Sequence, residues 1–183
     1  MPSTTQPSKS AHTAAAHTPA RHTTVDSPVG PLTLVAHDGV LSGLYMTNQR
    51  HRPAGDTFGP EDPAPFGDVV VQLAEYFAGT RTTFDLALDP VGTPFQRTVW
   101  RALREIPYGE TVSYGELAQR LGRPSAARAV GLANGRNPIG IIVPCHRVVG
   151  SGGDLTGYGG GLERKRHLLD FEQRSQDDRL PLF

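Results

Sequence analysis

The chain carries one cysteine, Cys145, in 183 residues. No intramolecular disulfide can form and no cysteine cluster can hold zinc. The fold must therefore rest on a hydrophobic core and its hydrogen bonds alone. Hydrophobic residues are 37% of the chain and charged residues 20%, an ordinary balance for a globular protein that builds such a core. The length suits one larger domain or two small ones sharing an interface. No apolar run is long enough to span a bilayer. Residues 1–20, rich in Ser, Thr, Ala, His and Pro, have no continuous apolar stretch of the kind a signal peptide needs. A cytoplasmic protein with no membrane partner is expected.

Residues 1–21 read as a disordered tail, polar and without hydrophobic periodicity. An N-terminal α/β domain is expected over 22–90. It has short strands at 22–26, 32–37 and 41–46, separated by Ser27-Pro28-Val29-Gly30-Pro31 and the hairpin dipeptide Asp38-Gly39. Val69, Val70, Leu73 and Phe77 recur at helical spacing over 66–78, and residues 83–88 alternate as a strand. A second domain is expected over 91–174, with a C-terminal tail at 175–183. It opens at Thr93-Pro94-Phe95-Gln96, a capping box with proline at the first helical position. Phe95, Val99, Leu103 and Ile106 then form one apolar stripe, with Trp100 assigned to the core. Ser113 and Glu116 repeat the capping pattern before a short helix to Leu121. After Gly122-Arg123-Pro124, Ser125 is expected to cap a third helix over 126–134. Two short helices joined by a glycine-containing turn make a helix-turn-helix. A buried strand over 139–143 and a last helix over 162–173 complete the domain. Arg164, Lys165, Arg166 and His167 on that helix read as a basic surface.

The formal charge is zero overall, but residues 1–90 hold 5 Lys and Arg against 9 Asp and Glu, whereas residues 91–174 hold 12 against 7. A polyanion partner is expected for the second domain only. On the third helix, Arg128 stands alone among small residues. Such a helix approaches another surface closely, and the second helix of a helix-turn-helix normally enters a DNA groove. An Ala-rich core helix with one surface arginine has the same pattern. A lone thiol is most often a small buried hydrophobe, yet Cys145 ends an apolar run, between Pro144 and His146-Arg147 and ahead of the glycine-rich residues 150–161. Histidine and positive charge favour the nucleophilic thiolate. Neighbours on an extended chain point to opposite faces, so a water or a local kink has to connect Cys145 to His146. Glu172 is placed to orient the imidazole.

Pro144-Cys145-His146-Arg147-Val148 resembles the acceptor motif of the O6-alkylguanine-DNA alkyltransferases. So, in the same order, do Asp26 to Leu32, Val112-Ser113-Tyr114-Gly115-Glu116-Leu117-Ala118, Ala126-Ala127-Arg128-Ala129-Val130-Gly131, Asn137-Pro138 and Gly157-Tyr158-Gly159-Gly160-Gly161-Leu162. The resemblance implies an α+β protein, in which a small N-terminal sheet-plus-helix domain supports a C-terminal winged-helix-like helix-turn-helix domain carrying the active site. It implies DNA repair by direct reversal: an alkyl group passes irreversibly from O6-alkylguanine, and from O4-alkylthymine, to Cys145, once per molecule. His146 would act through water as the base, oriented by Glu172, with Asn137 holding the turn before the acceptor. Tyr114 would crowd the phosphate 3′ of the target and protonate the leaving base. Arg128 would fill the vacated place in the stack. Ala127, Ala129 and Gly131 would allow close approach to the minor groove of double-stranded DNA. Val148, Tyr158 and Gly159 would line the base pocket. Position 159 is Gly where some relatives have Ser, which removes a hydroxyl contact. Position 140 is Gly where some have Pro, which leaves room for a larger adduct. No cofactor, no structural zinc and a monomer are expected.

Three other readings share parts of this pattern. A lesion-binding protein without transfer activity has no use for Cys145. A helix-turn-helix regulator with a redox-sensing cysteine has no use for the glycine-rich loop. A Cys–His hydrolase needs both side chains to meet directly.

Overall fold

The computed structural model describes residues 19–177. The expected N-terminal tail falls largely, and the end of the C-terminal tail wholly, outside them. The sheet already begins at Arg21. Strands β1 (Arg21–Val25), β2 (Leu32–His37) and β3 (Val40–Met46) form an antiparallel meander. Asp38 and Gly39 turn at positive φ between β2 and β3, as the hairpin dipeptide requires. Helix α1 (Gly67–Phe77) buries Val69, Leu73 and Tyr76 in the same core as the inner residues of this sheet.

Residues 83–88 do not form the expected strand. Only Leu88 pairs, as a parallel bridge to Leu41. Gln72 of α1 takes over the backbone of Asp85, donating to its carbonyl and accepting from its N–H, both at 2.9 Å. With those groups satisfied by a side chain, a strand neighbour gains little.

The second domain follows the helix signals closely. Helix α2 (Pro94–Leu103) starts in a complete capping box between Thr93 and Gln96, and buries Val99, Trp100 and Leu103. Helix α3 (Tyr114–Arg120) starts in the same way between Ser113 and Glu116. The third helix differs at its start. Residues Pro124–Ala126 form one 3-10 turn, α4 runs Ala127–Gly135, and Ser125 makes no capping hydrogen bond. Pro124 lacks an N–H and fixes its own φ, which favours the tighter turn. Helix α4 packs against both α2 and α3, and the Trp100 indole donates to the Ala133 carbonyl at 2.9 Å. A two-residue parallel pairing joins β4 (Val112–Ser113) to β5 (Val148–Val149). Helix α5 (Leu162–Asp177) is longer than expected.

Residues 139–143 are buried but are not a strand. Ile139 makes one parallel bridge to Leu44 of β3. The chain then folds back, with Val143 N donating to Ile139 O and Ile142 N to Gly140 O. Ile141 sits at φ 70°, a conformation costly for a β-branched residue. Apolar content signalled burial, but it could not distinguish a strand from a buried turn.

One core runs through both domains. It joins Leu34, Leu44 and Met46 of the sheet and Tyr76 of α1 to Leu103, Leu117, Val130, Ile139 and Leu168 of the second domain.

Candidate active site

Cys145 opens a single 3-10 turn, Cys145–Arg147, at the end of the buried hairpin-like segment. Asn137 builds that segment: its Nδ2 donates to Val143 O at 2.7 Å and its Oδ1 accepts from Ile139 N at 3.1 Å. The turn replaces the extended geometry assumed for Cys145 and His146, and buries both side chains together with that of Arg147.

The buried carboxylate of Glu172 organises what lies behind the cysteine. It accepts from His146 Nε2 at 2.8 Å, Arg147 Nε and Nη2 at 2.9 Å, the Tyr76 hydroxyl at 2.7 Å and Gly109 N at 3.1 Å. Burial alone opposes its ionisation, but His146 and Arg147 outweigh it and hold the carboxyl well below the usual range. An ionised carboxylate only accepts, so Nε2 of His146 carries the proton. Burial holds the imidazole below its ordinary pKa against the pull of Glu172. The ring is therefore neutral near pH 7, with Nδ1 bare. Nδ1 is buried and has no hydrogen-bond partner among the described residues, so it does not hydrogen-bond Cys145 directly.

Lys165 corrects the reading of the last helix as a basic surface. It is fully buried, and its Nζ donates to Val148 O at 2.6 Å and Thr156 O at 2.7 Å. Burial lowers its pKa to about 8, against an opposing pull from Cys145. Burial pushes the Cys145 thiol up, while Asn137 and the Lys165 charge draw it down. Arg164 is also engaged, donating to Val29 O, Thr47 O and Gly160 O. Arg166 and His167 are exposed as expected.

Cys145 lines a small cavity of about 10 Å³ with Asn134, Asn137, Gly140, Tyr158 and Gly159. That volume holds about one water. It adjoins a recess of about 540 Å³, lined by Arg50, His51, Gly131, Leu132, Arg136 and Gly157, and shares Gly135, Tyr158 and Gly159 with it. Tyr114 stands near Gly157, its hydroxyl donating to Thr156 O at 3.0 Å. A Cβ on Gly157, which sits at φ 67°, would lie 3.0 Å from that hydroxyl, so a side chain there would be strained and would push on Tyr114.

Two family models match the chain. The 6-O-methylguanine DNA methyltransferase DNA binding domain matches residues 94–174, and the ribonuclease-like domain of the same family matches residues 20–90. The chain belongs to this family. The methylated-DNA–protein-cysteine methyltransferase of Mycobacterium tuberculosis (strain H37Rv) is 58% identical over 160 residues, covering 87% of this chain and 96% of the relative. That of Methanosarcina acetivorans is 49% identical over 148 residues, covering 80% and 94%. The crystal structure of Mycobacterium tuberculosis OGT in complex with DNA superposes with a TM-score of 0.81 at 57% identity, covering 85% of this chain and 94% of that one.

Within this alkyltransferase fold, the residues singled out from the sequence fall into three places. Cys145, Asn137, Tyr158 and Gly159 line one cavity, with His146 and Glu172 buried behind it. Gly131 lines the adjoining recess, and a Cβ there would lie 3.5 Å from the Tyr114 ring. On the outer face of α4, Arg128 and Ala129 are exposed, while Ala127 is half-buried. Val148 is not in the cavity wall: its side chain is fully buried, and its carbonyl is taken by Lys165. The sequence reading gave no role to Tyr76 or Asn134, and it took Arg147 as a positive charge favouring the thiolate, whereas the Arg147 guanidinium pairs with Glu172 and the charge acting on Cys145 is that of Lys165. The spacing of Lys165, Leu168 and Glu172, at i, i+3 and i+7, was a legible sign of one buried helical face.

Proposed function

We propose that this protein repairs alkylated DNA by moving the alkyl group of an O6-alkylguanine, and of O4-alkylthymine, to Sγ of Cys145, once per molecule. Membership of the family makes the chain a DNA-repair methyltransferase. The observation that carries the finer reading is the neutral His146, locked to Glu172 through Nε2, with its bare Nδ1 buried beside the cysteine turn.

The target carbon lies inside the duplex, so the nucleotide must be extruded, at a cost of a few kcal/mol. The cavity at Cys145 cannot hold a purine, so the base occupies its shared mouth with the larger recess, and the alkyl group points inward. His146 Nδ1 takes the thiol proton through a bridging water, and the Lys165 charge steadies the thiolate. The Sγ–C bond forms as the C–O6 bond breaks, and the electron pair departs on the guanine. Tyr114 donates a proton to the leaving base and is reprotonated from solvent, so the guanine regains its N1–H. The thioether is stable and nothing nearby hydrolyses it, so the molecule turns over once.

Helix α4 enters the minor groove with Arg128 in the vacated stack. Ala127, Ala129 and Gly131 allow its backbone close to the sugar edges. Arg50 and Arg136, at the rim of the recess, meet phosphates. A monomer suffices for this arrangement, and no helix among the described residues is long and apolar enough to cross a membrane.

Intact mass after incubation with a duplex holding one O6-methylguanine tests the reading. Wild type should gain one methyl group, stoichiometric with restored guanine, and Cys145→Ala should gain none. Tight lesion binding without any gain would instead identify a damage sensor.

A further inference from the structure

Asn134, in the last turn of α4, is 1% exposed and lines the acceptor cavity beside Cys145 and Tyr158. Its Nδ2 donates to the Cys145 carbonyl at 3.3 Å. That carbonyl can only accept, which fixes the amide with its nitrogen toward Cys145 and Oδ1 on the other side. Oδ1 is buried and meets no donor among the described residues. Leaving a buried carbonyl oxygen without a donor is unfavourable, because the hydrogen bond it made to water is lost and not replaced. Neighbouring polar groups are matched: Asn137 by Val143 and Ile139, and the Val148 and Thr156 carbonyls by Lys165. The remaining unmatched atom near the cysteine, His146 Nδ1, already has a proposed task.

The base expected at this mouth carries one kind of donor. Alkylation at O6 removes the proton from N1, and N3 and N7 only accept, so the 2-amino group alone can donate. We propose that Asn134 Oδ1 accepts a hydrogen bond from the 2-amino group of the extruded base, so that Asn134 determines specificity for 2-aminopurines. The inference rests on the base-extrusion reading above and deepens it. O4-alkylthymine has no N–H on its ring once alkylated, so it forgoes this contact and is the poorer substrate.

The test compares two duplexes that differ only at the target, O6-methylguanine against O6-methylhypoxanthine, which lacks the 2-amine. Methyl-transfer rates are measured for wild type and Asn134→Leu, a substitution of similar size without polar atoms. Differences in how the two bases pair are common to both proteins and cancel in the comparison. The preference for O6-methylguanine should fall about tenfold from wild type to Asn134→Leu, the effect of one buried hydrogen bond. Loss of the amide's contacts to the Cys145 carbonyl and to Tyr114 would slow both substrates equally, so an unchanged preference overturns the proposal. If Asn134→Leu transfers too slowly to follow, the same preference is read as the ratio of Kd values in Cys145→Ala and Cys145→Ala/Asn134→Leu proteins. The same expectation and the same overturning result then apply. A wild type that gains no methyl from O6-methylguanine would refute the acceptor reading separately, and the Kd comparison would still decide the role of Asn134.

Discussion

At the scale of single residues, Glu172 links stability to the proposed chemistry. It neutralises the buried Arg147 and fixes the tautomer of His146 with the same two oxygens. Glu172→Gln leaves the guanidinium buried beside a neutral amide, a defect that costs about 3–5 kcal/mol, and it also removes the demand that His146 hold its proton on Nε2. We expect a marked fall in Tm and a slower methyl uptake that is not rescued by higher DNA concentration. The depressed Glu172 carboxyl contributes stability that is fully present above its unfolded pKa of about 4.3 and is lost as pH falls through the folded value. His146, also depressed in the fold, adds a loss that begins as pH drops below its unfolded pKa of about 6.5. Wild-type Tm should therefore decline on acidification from pH 7, first gently and then steeply below about pH 4.5. In Glu172→Gln the steep lower part should weaken. An equal acid slope in both proteins, followed by thermal melts across pH, would show that Glu172 is not the group responsible.

At the scale of elements, α3, the turn after it and α4 form a unit whose inner face is core and whose outer face is nearly bare. Val130 and Ala133 are buried, while Arg128, Ala129 and Leu132 face outward, Leu132 with 64% of its surface exposed. An arginine and a leucine exposed one turn apart on this ridge suit the proposed insertion into a groove. Arg128→Ala should leave Tm within about 0.5 kcal/mol of wild type in stability terms. It should nevertheless slow methyl uptake from duplex DNA at least about tenfold, with a much smaller effect on a single-stranded oligonucleotide, where no stack has to be refilled. Equal slowing on both substrates would remove Arg128 from the extrusion step and leave it a phosphate contact.

At the scale of the whole molecule, the N-terminal domain contributes structure to a site whose proposed acceptor lies in the other domain. Leu44 of β3 exchanges hydrogen bonds with the acceptor segment, donating to Pro138 O and accepting from Gly140 N, and Arg50 N holds Gly159 O at 2.8 Å. Tyr76 of α1 reaches Glu172. Arg164 ties both domains together through Val29, Thr47 and Gly160. Arg164→Ala should cost about 2–3 kcal/mol, because several charge-assisted hydrogen bonds are lost together. Urea unfolding should remain a single transition, since one core spans both domains. Two separated transitions would mean that the domains fold independently and that the shared core contributes less than its burial suggests.

The sequence by itself determined the elements with local causes. The capping boxes at Thr93 and Ser113, the Asp38-Gly39 hairpin and the apolar stripe of α2 depend on neighbours within a few residues, and each formed as read, except that α2 ends at Leu103 and leaves Ile106 buried in the turn after it. The motif around Cys145 named the nucleophile candidate, and the resemblance carried by Asp26 to Leu32 and, densely, from Thr93 to Glu172 named the family. Tertiary structure decided whatever depended on partners distant in the chain. Whether 139–143 is a strand or a buried turn was settled by Asn137 and by pairing with Leu44, and the edge at 83–88 by Gln72. Lys165 reads as a surface charge until the carbonyls of Val148 and Thr156 surround it. Tyr76 lies 96 positions from Glu172, and no local pattern links them. The unmatched oxygen of Asn134 likewise exists only once the fold has buried it, because an unsatisfied group is defined by which donors fail to reach it in three dimensions.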